Sequence, residues 1–211
     1  MKKLITKFFV AAAFVALFTT ANAQIGVRIG ANLANASIGG DDEGETKMRP
    51  GFSAGVFYQI QKGSLTIQPE INFAQQGTKF NFDFLGSKLE STFTMNYIQI
   101  PILVKYGFGD MEKLNFFVQA GPYLGLGIGK AKAETCIDGG DCETEETEFG
   151  SSDEQIKNPD FGAQFGAGVN INKNISVDVR YVLGLSNLVN DAVEGDSWKN
   201  NAINIGVGYK F

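Results

Sequence analysis

Three sets of residues in this chain have types and spacings that bear on chemistry. Cys136 and Cys142 stand six positions apart in a strongly acidic segment. In an exported protein such a pair reads as a disulfide clip, with a redox or metal role as the alternative. A ring this small contributes about 2–3 kcal/mol of loop ordering rather than stability of the domain. The acids beside it, Asp138, Asp141, Glu143, Glu145, Glu146 and Glu148, offer oxygen ligands, but no D-x-D-x-D-G run of an EF-hand loop is present. They read either as a solvated acidic loop, bridged loosely by cations to lipopolysaccharide, or as a divalent-cation site. The third set, Arg28, Glu70, Lys105, Asp178 and Arg180, consists of charges within otherwise uncharged alternating segments, the last two sharing one.

The chain contains no His. Ser-His and Cys-His nucleophiles, His metal sites and Asp-His arrangements are therefore excluded together. A Ser-Lys or carboxylate mechanism is all that enzymology retains, and the expectation is a non-enzymatic protein without catalytic residues, cofactor or metal. The formal net charge of −5 argues against nucleic acid as a partner.

The elements that position these residues are strands. Ile25, Val27, Ile29, Ala31 and Leu33 alternate with Gly26, Arg28, Gly30 and Asn32, a period of two with one apolar face. The same alternation recurs over 52–60, 65–73, 93–106, 114–128, 161–171, 175–186 and 203–211, which makes eight strands. Gln61-Lys62-Gly63-Ser64, Gly107 to Lys113 and Asn172-Lys173-Asn174 are short turns. Ala34 to Pro50, Gln75 to Ser91, Lys130 to Pro159 and Leu188 to Asn200 are long loops, and Phe80, Phe82 and Phe84 suggest that the flanks of the second extend its hairpin beyond the membrane. Pro69 on the apolar face lacks a ladder donor and predicts a bulge or an edge-like site. Phe93, Met95 and Tyr97 are apolar at odd positions, whereas Ile98 to Tyr106 are apolar at even ones, which predicts a bulge near Tyr97-Ile98.

Long and short connections alternate strictly, which sorts loops to one end of a meander and turns to the other. That is the plan of an all-β, eight-stranded antiparallel up-and-down transmembrane β-barrel, with short periplasmic turns and long extracellular loops. Tyr58, Tyr106, Phe116, Tyr209 and Phe211 all fall at the turn end, where a periplasmic aromatic girdle belongs. The opposite faces carry Gly, Gln, Asn and the five charges. They are too polar for the dry core of a soluble sandwich or a lipocalin-like fold. Arg28, Glu70, Lys105, Asp178 and Arg180 thus share a lumen, as a salt-bridged plug or as a ligand or ion path.

Residues 1–23 carry Lys2, Lys3 and Lys7, the apolar run Phe8 to Phe18 and the small-residue site Ala21-Asn22-Ala23, a secretory signal peptide expected to be cleaved. Its removal would take the charge from −5 to −8 and leave 24–211 as one barrel domain. No later apolar run approaches the ~20 residues of a membrane helix. The last strand places Asn204, Gly206, Tyr209 and Phe211 in a pattern that resembles the C-terminal assembly signal of outer-membrane barrels. Its expected readers are the barrel-assembly machinery and the surrounding lipid.

Asn96-Tyr97-Ile98-Gln99-Ile100-Pro101-Ile102-Leu103-Val104-Lys105-Tyr106, Gln119-Ala120-Gly121-Pro122-Tyr123-Leu124-Gly125, Asp160 to Gly168 and Arg180-Tyr181-Val182-Leu183-Gly184-Leu185-Ser186-Asn187 resemble the successive motifs of the PorT-like outer-membrane β-barrel family. The resemblance covers nearly all of 24–211. It implies a Gram-negative outer-membrane location and carries no catalytic motif. The founding member is associated with a protein secretion system, a role that nothing in this sequence singles out. The expected function is a small surface barrel acting in envelope integrity, secretion support or interaction with an extracellular partner at its loops. The alternative is transport or binding of a small or hydrophobic solute through or beside the barrel.

Overall fold

A computed structural model describes residues 22–39, 46–84, 87–109, 114–138, 140–152, 154–190 and 196–211. The signal segment lies outside them except for Asn22 and Ala23, whose backbone extends the first strand by pairing with Gln61 and Ile60. Asp41, Asp42, Glu43 and Glu45 of the first long loop also lie outside. The strands are β1 (Asn22–Gly39), β2 (Thr46–Lys47), β3 (Arg49–Lys62), β4 (Leu65–Phe84), β5 (Ser87–Phe108) and β6 (Asn115–Ile137). They continue with β7 (Cys142–Gly150), β8 (Ile156–Lys157), β9 (Asp160–Asn170), β10 (Ile175–Gly184) and β11 (Ser197–Lys210).

Eight of these strands form a closed antiparallel ring in the order β1, β3, β4, β5, β6, β9, β10, β11. The ring shuts where β1 meets β11, in one unbroken register from Gly26↔Lys210 to Gly39↔Ser197. Closure leaves these strands without an unpaired edge, the condition for a sheet to stand in lipid. The two faces have opposite chemistry. Ile29 is 65% and Phe116 64% exposed, while Arg180, Asp178 and Glu70 are each 2% exposed. An apolar outside around a polar inside inverts a soluble protein and matches a solvent of acyl chains.

Local chemistry sets the turns. Gly63 supplies a positive φ of 59° in the hairpin between β3 and β4. Asn172 Oδ1 accepts from the backbone N–H groups of Asn174 and Ile175, each at 2.8 Å, and so shapes the turn into β10. Pairing between β3 and β4 skips the Tyr58–Pro69 and Gln59–Gln68 positions and resumes at Ile60↔Ile67 with no shift of register, so the ladder is interrupted at Pro69 without a bulge.

Two sequence expectations are corrected. The long connections are largely ordered as strands. β1 reaches Gly39 and β6 pairs with β7 from Lys130↔Glu148 to Cys136↔Cys142, while β4 and β5 stay paired to Phe84↔Ser87, as Phe80, Phe82 and Phe84 had suggested. Continuing the ladder satisfies the backbone groups of these polar segments, so their composition did not reveal their conformation. Second, β5 does not change phase at Tyr97-Ile98. Met95, Tyr97, Gln99, Leu103 and Lys105 all face inward, and the irregularity lies opposite Met95, where β6 inserts two extra residues before Lys132. The odd apolar residues of β5 had looked lipid-facing because the outer third of the interior is itself apolar. There Met95, Tyr97, Ala131 and Leu188 form a buried cluster packed by Phe93, Phe149, Ile156 and Trp198.

The interior glycines make room for large neighbours. A Cβ on Gly127 would strike the Phe149 ring at 2.4 Å, on Gly168 the Phe117 ring at 2.5 Å, and on Gly162 the Tyr123 ring at 2.7 Å. The space that glycines leave in this lumen is filled.

Cys136 and Cys142 are directly opposed on β6 and β7 and joined as a disulfide. The bridge lies outside the ring, near the tip of a projecting hairpin. Cys136→Ser/Cys142→Ser is therefore expected to leave the urea midpoint of the refolded barrel unchanged while speeding proteolytic nicking at 137–142. A fall in that midpoint as large as that from a lumen substitution would contradict this placement.

Candidate functional site

The centre of the lumen is a braced ion cluster. Asp178 and Arg180 are two apart on β10 and so point to the same side. Arg28 comes from β1, with β11 lying between them. It reaches Asp178 across Gly206, where a Cβ would sit 2.2 Å from the guanidinium. Arg28 donates to both carboxylate oxygens of Asp178, Nη2 to Oδ1 at 2.6 Å and Nε to Oδ2 at 3.2 Å. Arg180 Nε donates to Asp178 Oδ1 at 2.9 Å, and its Nη1 crosses the barrel to Glu70 Oε2 on β4 at 2.8 Å. Glu70 also accepts from Asn72 at 2.7 Å and from Gln68, which in turn accepts from Gln59.

Four of the five lumen charges are thereby joined in one network spanning β1, β10 and β4. Lys105 is held differently. Its Nζ stands 4.4 Å from the centroid of the Phe117 ring, a cation–π contact, and among the described residues no carboxylate makes an ion pair with it. Around the cluster, Asn204 donates to Ser53 Oγ at 2.8 Å and to Asn32 Oδ1 at 3.3 Å. The void left between Arg28, Asn32, Ser53, Asn72, Gln99, Arg180 and Asn204 is about 10 Å³, room for a single water.

A second buried polar centre was not legible beforehand. Asp160, fully buried at the start of β9, accepts from Tyr123 Oη at 3.2 Å, Asn200 Nδ2 at 3.1 Å and Ser186 Oγ. Its donors come from β6, from β11 and from the segment after β10. Inward phase at Tyr123 was the one available signal, and it did not say which carboxylate the phenol would meet.

Two of the four proposed assembly-signal residues face the lumen. Asn204 bonds across it and Gly206 makes room for Arg28, so the pattern has an internal structural cause at these positions. Tyr209 and Phe211 face outward, their rings edge-on at 5.4 Å, and the Phe211 N–H donates to Ile25 C=O at 3.0 Å. Tyr58, Tyr106 and Phe116 are likewise exposed toward the turn end.

On the projecting hairpin, Lys130 and Lys132 lie 3.3–3.7 Å from Glu146 and Glu148. The hydrogen bond from Lys132 holds the Glu146 carboxyl below the ordinary carboxylate range. Glu134 adjoins Cys136 and Cys142, but those sulfurs are joined to each other and present no thiolates to a metal. A pocket of about 170 Å³ opens at the loop end between Phe93, Met95, Ile156, Leu188, Val189 and Trp198.

Residues 18–190 match the model of the outer membrane protein beta-barrel domain. The chain belongs to that family. This outer membrane barrel also has solved structural neighbours. Ail of Yersinia pestis is 16% identical with a TM-score of 0.47, covering 90% of this chain and 99% of its own. Neisserial surface protein A gives 16%, 0.47, 90% and 99% on the same measures. OprG of Pseudomonas aeruginosa gives 9%, 0.43, 90% and 97%. Against curated proteins the chain shows no significant match.

Removing one member of the barrel's ion cluster strands its partners in a medium that solvates them poorly. Asp178→Leu should cost about 3–5 kcal/mol in urea titrations of the barrel refolded into vesicles. Arg28→Met/Asp178→Leu should recover part of that loss, because the stranded cation is then gone. A double variant no more stable than the single would show that the pair is not the relevant unit.

Proposed function

We propose that this protein is a closed, non-enzymatic surface barrel of the PorT-like group that displays its extracellular hairpins rather than opening a pore. The observation that supports this reading is the ion cluster of Arg28, Asp178, Arg180 and Glu70, which spans the lumen and leaves space for about one water. Eight strands enclose an interior just wide enough for side chains, whereas water-filled porins use 16–18.

Display follows from the ordered projections. β4, β5, β6 and β7 continue as one sheet above the ring, clipped by the disulfide and rich in exposed acids. This face suits a cationic extracellular partner or cation-bridged contact with lipopolysaccharide. Envelope integrity, secretion support and surface interaction are the roles compatible with it. Tyr209 and Phe211 are proposed as the part read by the barrel-assembly machinery, within an expected mature domain of 24–211. The second reading, solute movement through the barrel, meets the plug. Binding without passage is favoured over passage by the pocket at the outer end.

In planar bilayers the purified protein is expected to be silent or to show rare, small openings. Long-lived stepwise conductance of general-porin size would overturn the closed-barrel reading. Deleting Phe211 is expected to lower the heat-modifiable barrel in outer-membrane fractions while detergent-refolded protein stays folded. Unchanged membrane levels would count against the assembly role.

A further inference from the structure

The pocket at the outer end lies above both polar centres of the lumen, and no step of the closed-barrel reading uses it. Its apolar wall is Phe93 and Met95 from β5, Ile156 from β8, Leu188 and Val189 from the segment after β10, and Trp198 from β11, and the polar Thr147, Gln155 and Asn190 complete the lining. Its floor is closed. Met95 and Leu188 belong to the buried cluster with Tyr97 and Ala131, and beneath that sit the Asp160 centre and the ion cluster. The pocket is therefore a dead end rather than the mouth of a channel.

Its framework is tied in place. The Lys157 N–H donates to Leu188 C=O at 2.9 Å, and Ile156 bridges to Val189. Asn190 Nδ2 donates to the carbonyls of Ser152 and Gln155 at 2.9 and 2.8 Å, which pins the turn beside the opening. Trp198 is placed by aromatic contacts, 4.8 Å from Phe93 and 6.1 Å from Phe80. Its indole N–H is shielded and has no acceptor among the described residues. Packing against these rings and the buried cluster, rather than a hydrogen bond, orients the indole.

Size and chemistry define the occupant. An enclosed apolar cavity of about 150 Å³ takes up benzene, and this mostly apolar pocket, open at the loop end, is of similar size at about 170 Å³. Among the described residues no cationic side chain lines it, and its one charged lining residue there is the exposed Glu154. An anion would meet neutral donors but no countercharge among the described residues, at a steep desolvation cost. We propose that the outer end of this barrel is a binding site for a small, uncharged, apolar ligand about the size of one substituted aromatic ring. This deepens the binding reading above and does not depend on whether the barrel conducts.

The chain has a single Trp, so one indole resonance reports on the site. Full-length mature protein labelled with ¹⁵N-tryptophan and refolded into zwitterionic lipid nanodiscs is titrated with ethylbenzene and, separately, with benzoate. Ethylbenzene should shift the Trp198 indole signal saturably, with benzoate at least about tenfold weaker. Val189→Trp, at the rim, adds a second indole resonance but leaves that of Trp198 assignable by comparison. It should weaken ethylbenzene binding at least about tenfold, and Leu188→Phe should do the same from the floor. Retained heat-modifiable mobility identifies the variants that have folded. A linear, non-saturating shift, equal binding of benzoate, or unchanged ethylbenzene affinity in a folded Val189→Trp protein would each overturn the proposal. Bilayer silence with no ligand binding would remove this site while leaving the closed barrel standing.

Discussion

The pairing of β1 with β11 is the constraint on which the rest depends. In a hydrocarbon medium an open sheet edge would leave a row of backbone donors and acceptors without water, each costing several kcal/mol. The ladder from Gly26↔Lys210 to Gly39↔Ser197 removes that edge and, by closing eight strands, fixes the width of the interior. A lumen this narrow must be filled by its own side chains. Gly206 is emptied for Arg28, Gly168 for Phe117 and Gly162 for Tyr123, so large and small residues interlock across neighbouring strands.

Filling such a space with charges is costly unless every charge has a partner. Asp178 answers both Arg28 and Arg180, and Glu70 answers Arg180 from the far wall with Asn72 and Gln68 completing its shell. The cluster thus ties β1, β10 and β4 together across the barrel in addition to their ladders. It stabilises one arrangement of the interior through the heavy cost of leaving any single member unpaired, a cost greater than the net worth of the cluster.

Toward the outside the interior changes character. Met95, Tyr97, Ala131 and Leu188 replace amides and charges, and above them the strands run on into hairpins. The lower lumen is occupied by its own network. The outer end is mostly apolar and holds a sizeable pocket. Exposed acids on the hairpin give the surrounding surface one dominant sign, which attracts cations over a Debye length of roughly 8 Å at physiological salt.

Much of the fold was determined by sequence alone, because a strand in lipid shows its orientation residue by residue. Ile25, Val27 and Ile29 against Gly26, Arg28 and Gly30 state which face meets the acyl chains, and eight such segments with alternating connections leave one topology. The opposed cysteines were readable for a similar reason, since six positions in an exported segment fit a short hairpin. What tertiary structure decided was everything that depends on who stands opposite across the barrel. Period two places Asp178 and Arg180 on the same side but cannot say that Arg28 joins them over Gly206, or that Lys105 settles on Phe117 instead of on Glu70. Nor could it separate Met95 and Tyr97, apolar because they fill the outer core, from Ile98 and Ile100, apolar because they meet lipid. Alternation records the polarity of what a side chain touches, and both a dry core and a bilayer are apolar; only the closed ring assigns them to different sides.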